Sequence, residues 1–212
     1  MKSQKIYNLV ILDASGSMES IYSQALSGVN ETLATIRMAQ EEHPELEQHV
    51  TLASFSAGEH FLNRIYSALP IAEARNITRE DYPLLGCTAL YDAMGTCISE
   101  LQQKVTHDDR VLVTIITDGY ENDSIEWDGA SVKKLIDRLC KKGWVFTYIG
   151  ANQDAALEAG KIGVKNSLTF EASIEGTVNM FAFEKQSRQR WNKRVRLNEN
   201  DIQNDYFSDD DK

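Results

Sequence analysis

The sequence is poor in cysteine, proline and long apolar runs, and each shortage excludes a class of protein. Its three cysteines, Cys87, Cys97 and Cys140, are scattered and form no CxxC pair, so neither a disulfide framework nor a zinc site is expected. With 3 prolines and 12 glycines and no Ser/Gly-rich stretch, no interdomain linker is indicated. No apolar run is long enough for a membrane span, and the N-terminus lacks the cleavage site of a signal peptide. A cytoplasmic protein is therefore expected.

Basic side chains are outnumbered. The formal net charge is −10, and about half of it comes from residues 199–212, where several acidic residues face only Lys212. Because nucleic-acid binding needs a basic surface, a nucleic-acid partner is not expected. The exception is the stretch 174–196, whose basic residues are expected to pair within the molecule or to face solvent. We predict a single domain over residues 1–197 that includes this basic helix, followed by a flexible acidic tail over residues 198–212 that can order against the helix.

Dense apolar runs alternate with segments of helical periodicity. The runs at 6–12, 111–116 and 144–149 indicate strands that are covered on both faces, as in a parallel sheet. Two further strands flank a turn at residues 56–59, and a last one is expected at 167–170. Apolar spacing predicts helices at 20–40, 88–104, 131–142, 154–159 and 174–196. This order predicts an α/β fold, a Rossmann-like, doubly wound, mostly parallel sheet with one antiparallel edge strand and helices on both faces.

Motifs rich in side-chain oxygen stand at three places where ligands bind to such a sheet. Asp13-Ala14-Ser15-Gly16-Ser17 directly follows the first strand, Gly86-Cys87-Thr88 begins a helix, and Thr117-Asp118-Gly119 directly follows the strand 111–116. The carboxyl ends of parallel strands meet at one edge of the sheet, so all three motifs are expected on the same rim. Carboxylate and hydroxyl oxygens suit Mg²⁺ or Mn²⁺ and suit zinc or copper poorly.

This set of motifs resembles the metal-ion-dependent adhesion site of von Willebrand factor A (vWA) domains. Asp-x-Ser-x-Ser, a separate Thr and a separate Asp occur in matching order, and the order of elements matches over residues 6–170. The resemblance implies that Ser15, Ser17 and Thr88 reach a Mg²⁺ or Mn²⁺ ion directly or through water. It also implies that Asp13 and Asp118 act there, often through bridging waters, and that the partner is a protein that supplies a Glu or Asp carboxylate.

Two details refine the resemblance. The segment 149–154 is similar to stretches of bacterial intracellular members of the family, such as those linked to tellurite resistance. Cys87 stands where the family often has the second glycine of Gly-Gly-Thr. A side chain there restricts the backbone, which bears on how the Thr88 loop moves more than on whether Thr88 can bind metal.

Other interpretations of the same residues remain open. Asp13, Ser15 and Ser17 are residue types that cap helices, although capping does not explain the matching oxygens of the other two loops. A metal-dependent hydrolase or phosphatase would use the same rim, with Glu121 or Asp123 as a base. No Gly-x-Ser-x-Gly, P-loop or Gly-x-Gly-x-x-Gly motif occurs, and the histidines lie outside the three loops. We therefore predict a non-enzymatic protein-interaction module.

The aromatic residues after Asp118 allow two roles. Tyr120 and Trp127 would either be exposed anchors of a contact surface or, for Trp127, pack on the helix that follows.

Overall fold

Strands and helices alternate along the part of the chain that the computed structural model describes, residues 4–59, 61–152, 154–199 and 202–208. The strands are β1 (Gln4–Asp13), β2 (Leu46–Phe55), β3 (Leu62–Pro70), β4 (Arg110–Thr117), β5 (Val145–Ala151) and β6 (Asn166–Phe170). The α-helices are α1 (Tyr22–Glu42), α2 (Leu90–Gln102), α3 (Gly129–Cys140), α4 (Ala155–Lys161) and α5 (Ile174–Arg196). Short 3-10 helices cover Gly16–Ile21 and Ile71–Glu73. None of the described helices is both long and apolar enough to cross a membrane.

The strands form one sheet in the order β3-β2-β1-β4-β5-β6. All neighbours are parallel except β3, which runs antiparallel to β2 at the edge. Every residue of β1 from Ile6 to Asp13 is buried, as expected for a strand that is covered on both faces. The predicted fold class, including its antiparallel edge strand, is confirmed.

Alternate side chains of β1 enter different cores, because successive residues of a strand point to opposite faces. Leu9 and Ile11 pack with the apolar residues of α2, α3 and α4. Val10 and Leu12 pack with those of α1 and α5. Asp13 is the last residue of β1 and lies, buried, at the carboxyl end of the sheet.

The basic helix α5 holds one arginine inside the protein. The Arg188 side chain is fully buried and forms a salt bridge of 2.7 Å with Glu184. It also donates hydrogen bonds to Asn8 Oδ1 of β1 (2.7 Å) and Thr114 Oγ1 of β4 (2.9 Å). For Arg188, the expected intramolecular pairing therefore takes place in the core and ties α5 to the middle of the sheet.

Part of the predicted tail lies against the domain. Ile202 and Tyr206 are buried together with Trp191 and Val195 of α5. Tyr206 Oη donates a hydrogen bond of 3.1 Å to Glu184 Oε1. Apolar side chains scattered among the acidic residues of this segment supply the buried contact. The rest of the predicted tail, residues 200–201 and 209–212, is outside the described residues.

Candidate metal site at the carboxyl ends of the strands

The three predicted loops meet at the carboxyl ends of β1 and β4. Ser17 Oγ donates a hydrogen bond of 2.6 Å to Asp118 Oδ1, and Ser15 Oγ lies 3.1 Å from Ser17 Oγ. A β-carbon placed on Gly119 would lie 3.1 Å from Thr88 Oγ1 and 3.8 Å from both Asp13 Oδ2 and Ser17 Oγ. The structure thus brings all five predicted residues together, and their role as metal ligands stays a prediction.

Asp13 is held rigidly below the rim. Its side chain is buried, and its Oδ1 accepts a hydrogen bond of 2.7 Å from the backbone N–H of Ser15. Thr117 Oγ1 donates to Oδ2 at 2.5 Å, and Tyr82 Oη donates to the backbone oxygen of Asp13 at 2.5 Å. Both carboxylate oxygens therefore have a fixed orientation before any ligand arrives.

Thr117 and Tyr82 both donate hydrogen bonds to Asp13, and the sequence motifs assign neither residue to the site. Thr117 is part of the motif Thr117-Asp118-Gly119, so its position directly before Asp118 is the feature that could identify it. Tyr82 lies in the irregular segment between β3 and α2, and no pattern in the sequence places it beneath Asp13.

The Thr88 loop is joined to the other loops through its backbone. The N–H of Thr88 donates to Asn122 Oδ1 at 2.9 Å, and the N–H of Asn122 donates to the Thr88 oxygen at 3.1 Å. The N–H of Ala89 donates to the Ser56 oxygen at 2.8 Å. The backbone of Ala89 is not helical (φ −90°, ψ 62°), so α2 begins at Leu90 and not at Thr88 as predicted.

The loop after β4 is fixed to the start of α2 by two carboxylates. Glu121 accepts hydrogen bonds from the N–H of Tyr91 (2.9 Å) and from the N–H and hydroxyl of Ser124 (2.8 and 2.7 Å). Buried Asp92 accepts bonds from the backbone N–H groups of residues 125–127. These hydrogen bonds therefore hold the loop that carries Asp118 against the start of α2.

The two aromatic residues of this loop lie in different environments. A β-carbon on Gly95 would lie 2.0 Å from the Trp127 ring, so Trp127 packs directly on the glycine of α2. Tyr120 is 57% exposed beside Asp118 and Gly119. Tyr120 is thus the aromatic residue that is available to a partner.

The helix-capping interpretation is wrong for the hydroxyls of Ser15 and Ser17. Ser15 precedes the 3-10 helix Gly16–Ile21 but makes no side-chain capping bond, and α1 starts after Ile21, which has none either. The two hydroxyls instead bond to each other and to Asp118.

The electrostatics of the rim favour a cation. The pKa of Asp13 is raised to about 6, mainly by burial and to a smaller extent by the charge of Asp118, and the hydrogen bonds from Thr117 and Ser15 offset only part of the rise. Burial also raises the pKa of Asp118. Two carboxylates that are costly to ionise together are stabilised by a nearby positive charge.

The donor set fits a hard divalent ion. No cluster of three or more His, Cys, Asp or Glu side chains suited to a metal occurs among the described residues. A site at this rim would therefore combine the two carboxylates with the hydroxyls of Ser15, Ser17 and Thr88, a set of hard oxygens that suits Mg²⁺ or Mn²⁺.

Comparison with known proteins bears on the fold. No protein-family model and no curated protein matches the chain. Among solved structures it is similar to the vWA domain of SpRpn10, with 12% identity and a TM-score of 0.54 over 82% of this chain and 92% of that one. It is also similar to the PilB minor pilin of Streptococcus sanguinis, with 15% identity and a TM-score of 0.61 over 89% of this chain. A third similar structure is proximal thread matrix protein 1 of the mussel byssus, with 12% identity and a TM-score of 0.54 over 85% of this chain.

The lengths of these proteins differ from that of the chain. The chain covers 62% of the length of the pilin and 44% of the length of the thread matrix protein. At such identities the similarity concerns the fold alone. The chain has a mixed α/β fold that it shares with a vWA domain.

Proposed function

We propose that the chain is a protein-interaction module that binds Mg²⁺ or Mn²⁺ at the rim and, through the ion, a Glu or Asp side chain of a partner protein. The ligands would come from Asp13, Ser15, Ser17, Thr88 and Asp118. When bound, the ion would supply a Lewis-acidic position for the partner's carboxylate.

The observation that carries this proposal is the convergence of three separate loops on one point. Ser17, Thr88 and Asp13 lie within 3.8 Å of a single position at Gly119, and Ser17 is bonded to Asp118. Neither helix capping nor core packing requires the hydroxyls to be there. One bound ion that contacts all five side chains would account for their meeting.

The chain's own residues would divide the work. Asp13 is buried and already accepts bonds on both oxygens, so it would orient the hydroxyls and contribute negative charge. Ser17 is exposed, and Asp118 is partly exposed. These two are the residues that a partner would approach most closely, with Tyr120 beside them.

A metal-dependent hydrolase at the same rim is not favoured. Glu121, one of the two candidate bases, spends both carboxylate oxygens on the start of α2 and on Ser124. It is therefore a structural residue rather than a free base. Asp123 is exposed and stays the one candidate for that reaction class.

The test is recovery of a partner from the native host, with the full chain as bait, in Mg²⁺ and in EDTA. We expect a partner that is retained in Mg²⁺ and lost in EDTA. It should also be lost with Asp118→Asn, which preserves shape but removes the charge. Glu41→Gln at the far end of α1 is the matched control and should behave like the unchanged protein. A partner retained under all conditions would place the interface elsewhere.

A separate assay addresses catalysis. A panel of phosphoesters and esters with Mg²⁺ or Mn²⁺ should show no turnover. Turnover that is lost with Asp118→Asn would support the hydrolase instead. The non-enzymatic character, the cytoplasmic location and the likeness to tellurite-resistance proteins stay predictions.

A further inference from the structure

Acidic residues outnumber basic residues in the loops around the candidate site. The connecting segments 14–21, 56–61, 118–128, 152–154 and 171–173 contain no lysine or arginine. The segment 74–89 contains two arginines, Arg75 and Arg79, and Arg75 forms a salt bridge of 2.6 Å with Asp81. Exposed acidic side chains occur in each of the five segments without lysine or arginine. They include Asp128 and six further residues, Glu19, Glu59, Asp123, Glu126, Asp154 and Glu171. We call these six residues the acidic collar. Its residues lie at the same end of the sheet as the carboxylates of Asp13 and Asp118, because each of the five segments follows the carboxyl end of a parallel strand.

Two basic side chains near the carboxyl ends of the strands contact other side chains of the protein. The Arg79 guanidinium lies 5.5 Å from the centre of the Tyr22 ring. Lys161 Nζ lies 2.7 Å from Glu158 Oε1. The segments that lead into the amino ends of the strands differ, since Lys104, Lys142 and Lys165 lie there. Those segments also contain Glu45, Asp108 and Asp109, so acidic and basic residues are mixed there, whereas five of the connecting segments at the rim contain acidic residues and no lysine or arginine.

Exposed apolar side chains lie in the segments that carry the site residues. Tyr120 is 57% exposed directly after Gly119, and Leu85 is 56% exposed in the segment that leads to Thr88. Each flanks one of the loops that supply site residues. A partner that reaches the site would cover both side chains, and burial of their apolar area would stabilise the complex.

We infer that the partner binds through a basic segment that carries a single carboxylate, with lysine or arginine on both sides of one Asp or Glu. This inference rests on the proposed function, which supplies the contact for the carboxylate. The acidic collar then determines which partner residues are favoured on either side of that carboxylate. It repels further acidic residues and attracts basic ones, both during approach and in the complex.

Synthetic peptides of equal length test this inference. Each has one central Asp, flanked by lysine and arginine, by glutamine and serine, or by glutamate. Binding to the full chain is measured in Mg²⁺. We expect the basic flanks to bind roughly tenfold more tightly than the neutral ones, the sum of several exposed charge pairs. The preference should shrink at about 1 M salt, where exposed charges are screened.

Variants of the chain test whether the acidic collar causes the preference for basic flanks. Glu19→Gln, Glu59→Gln and Asp123→Asn combined should reduce the preference for basic flanks while Mg²⁺-dependent binding of the neutral peptide persists. Glu41→Gln, Glu42→Gln and Glu45→Gln combined remove the same charge at the opposite end and should leave the preference unchanged.

The outcomes separate this inference from the proposed function. Equal affinity for all flanks, or a preference for acidic ones, with binding that still needs Mg²⁺ and the central Asp, would overturn the inference alone. Basic peptides that bind equally well in EDTA, or with Asn in place of the central Asp, would contradict the metal-mediated contact. No binding of any peptide would contradict both.

Discussion

Ser17 and Asp118 lie 101 positions apart in the sequence, and Ser17 Oγ donates a hydrogen bond of 2.6 Å to Asp118 Oδ1. The contact exists because β1 and β4 are parallel neighbours, so the segments that follow them meet at one edge. It joins two of the three motifs from which the metal site is predicted. Everything proposed for the rim depends on these side chains acting together.

Ser17→Ala and Asp118→Asn should abolish stabilisation by Mg²⁺. At Mg²⁺ about 100 times its dissociation constant, one site adds about 2.7 kcal/mol. For a protein of this size, we expect the unfolding temperature of the unchanged protein to rise by roughly 5 to 10 °C. Thermal unfolding with and without Mg²⁺ measures the shift. Glu41→Gln should show the full shift, and an equal shift in Asp118→Asn would place the ion elsewhere.

The metal-free protein should lose stability as the pH rises from about 4 to about 6. Burial raises the pKa of Asp13 from its ordinary 3.8 to about 6 in the folded protein. Between these values the folded state binds more protons than the unfolded state, so the free energy of unfolding falls as the pH increases. A difference of about two units corresponds to about 3 kcal/mol.

Urea unfolding in EDTA at several pH values measures this dependence. Asp13→Asn should remove most of the fall between pH 4 and 6. A variant with the same pH profile as the unchanged protein would show that another group titrates in this range.

Arg188→Met should destabilise the fold by about 3 to 5 kcal/mol, because Glu184 would be left as a buried charge without its partner. Adding Glu184→Gln removes that charge, so the double variant should be more stable than Arg188→Met. Urea unfolding at neutral pH measures both. A loss within about 0.5 kcal/mol, typical of surface positions, would contradict the buried pairing.

Removal of residues 198–212 should destabilise the domain, whereas removal of residues 209–212 should have little effect. Only the longer deletion removes Ile202 and Tyr206 from their contacts with Trp191. Tyr206→Ala alone should cost about 3 to 5 kcal/mol, as other buried aromatic truncations do. Equal stability of both truncated chains would indicate that the segment 202–208 contributes no folding energy.

Periodicity and strand order were sufficient to predict the fold and the meeting of three loops. Dense apolar runs identify buried parallel strands, and the carboxyl ends of such strands necessarily share an edge. The support of Asp13 by Tyr82 was not predictable in this way, because it depends on the path of an irregular segment. The contact of Trp127 with Gly95 depends on close packing between a loop and a helix.

The spacing of residues along α5 indicates the interior position of Arg188. Met180, Phe181, Glu184, Arg188, Trp191 and Val195 follow helical spacing and form the buried stripe of α5. The count of basic residues indicates the charge of the helix but not which face each residue occupies. A charged pair four residues apart within an apolar stripe indicates a buried pair.

The most direct test of the central claim is a Mn²⁺ titration followed by electron paramagnetic resonance, which distinguishes free from bound Mn²⁺. We predict one bound ion per chain, competed by Mg²⁺, and its loss in both Asp118→Asn and Thr88→Val. Glu41→Gln should bind Mn²⁺ as the unchanged protein does. Undiminished binding in Asp118→Asn and Thr88→Val, or no binding by the unchanged protein, would contradict a metal site at the rim.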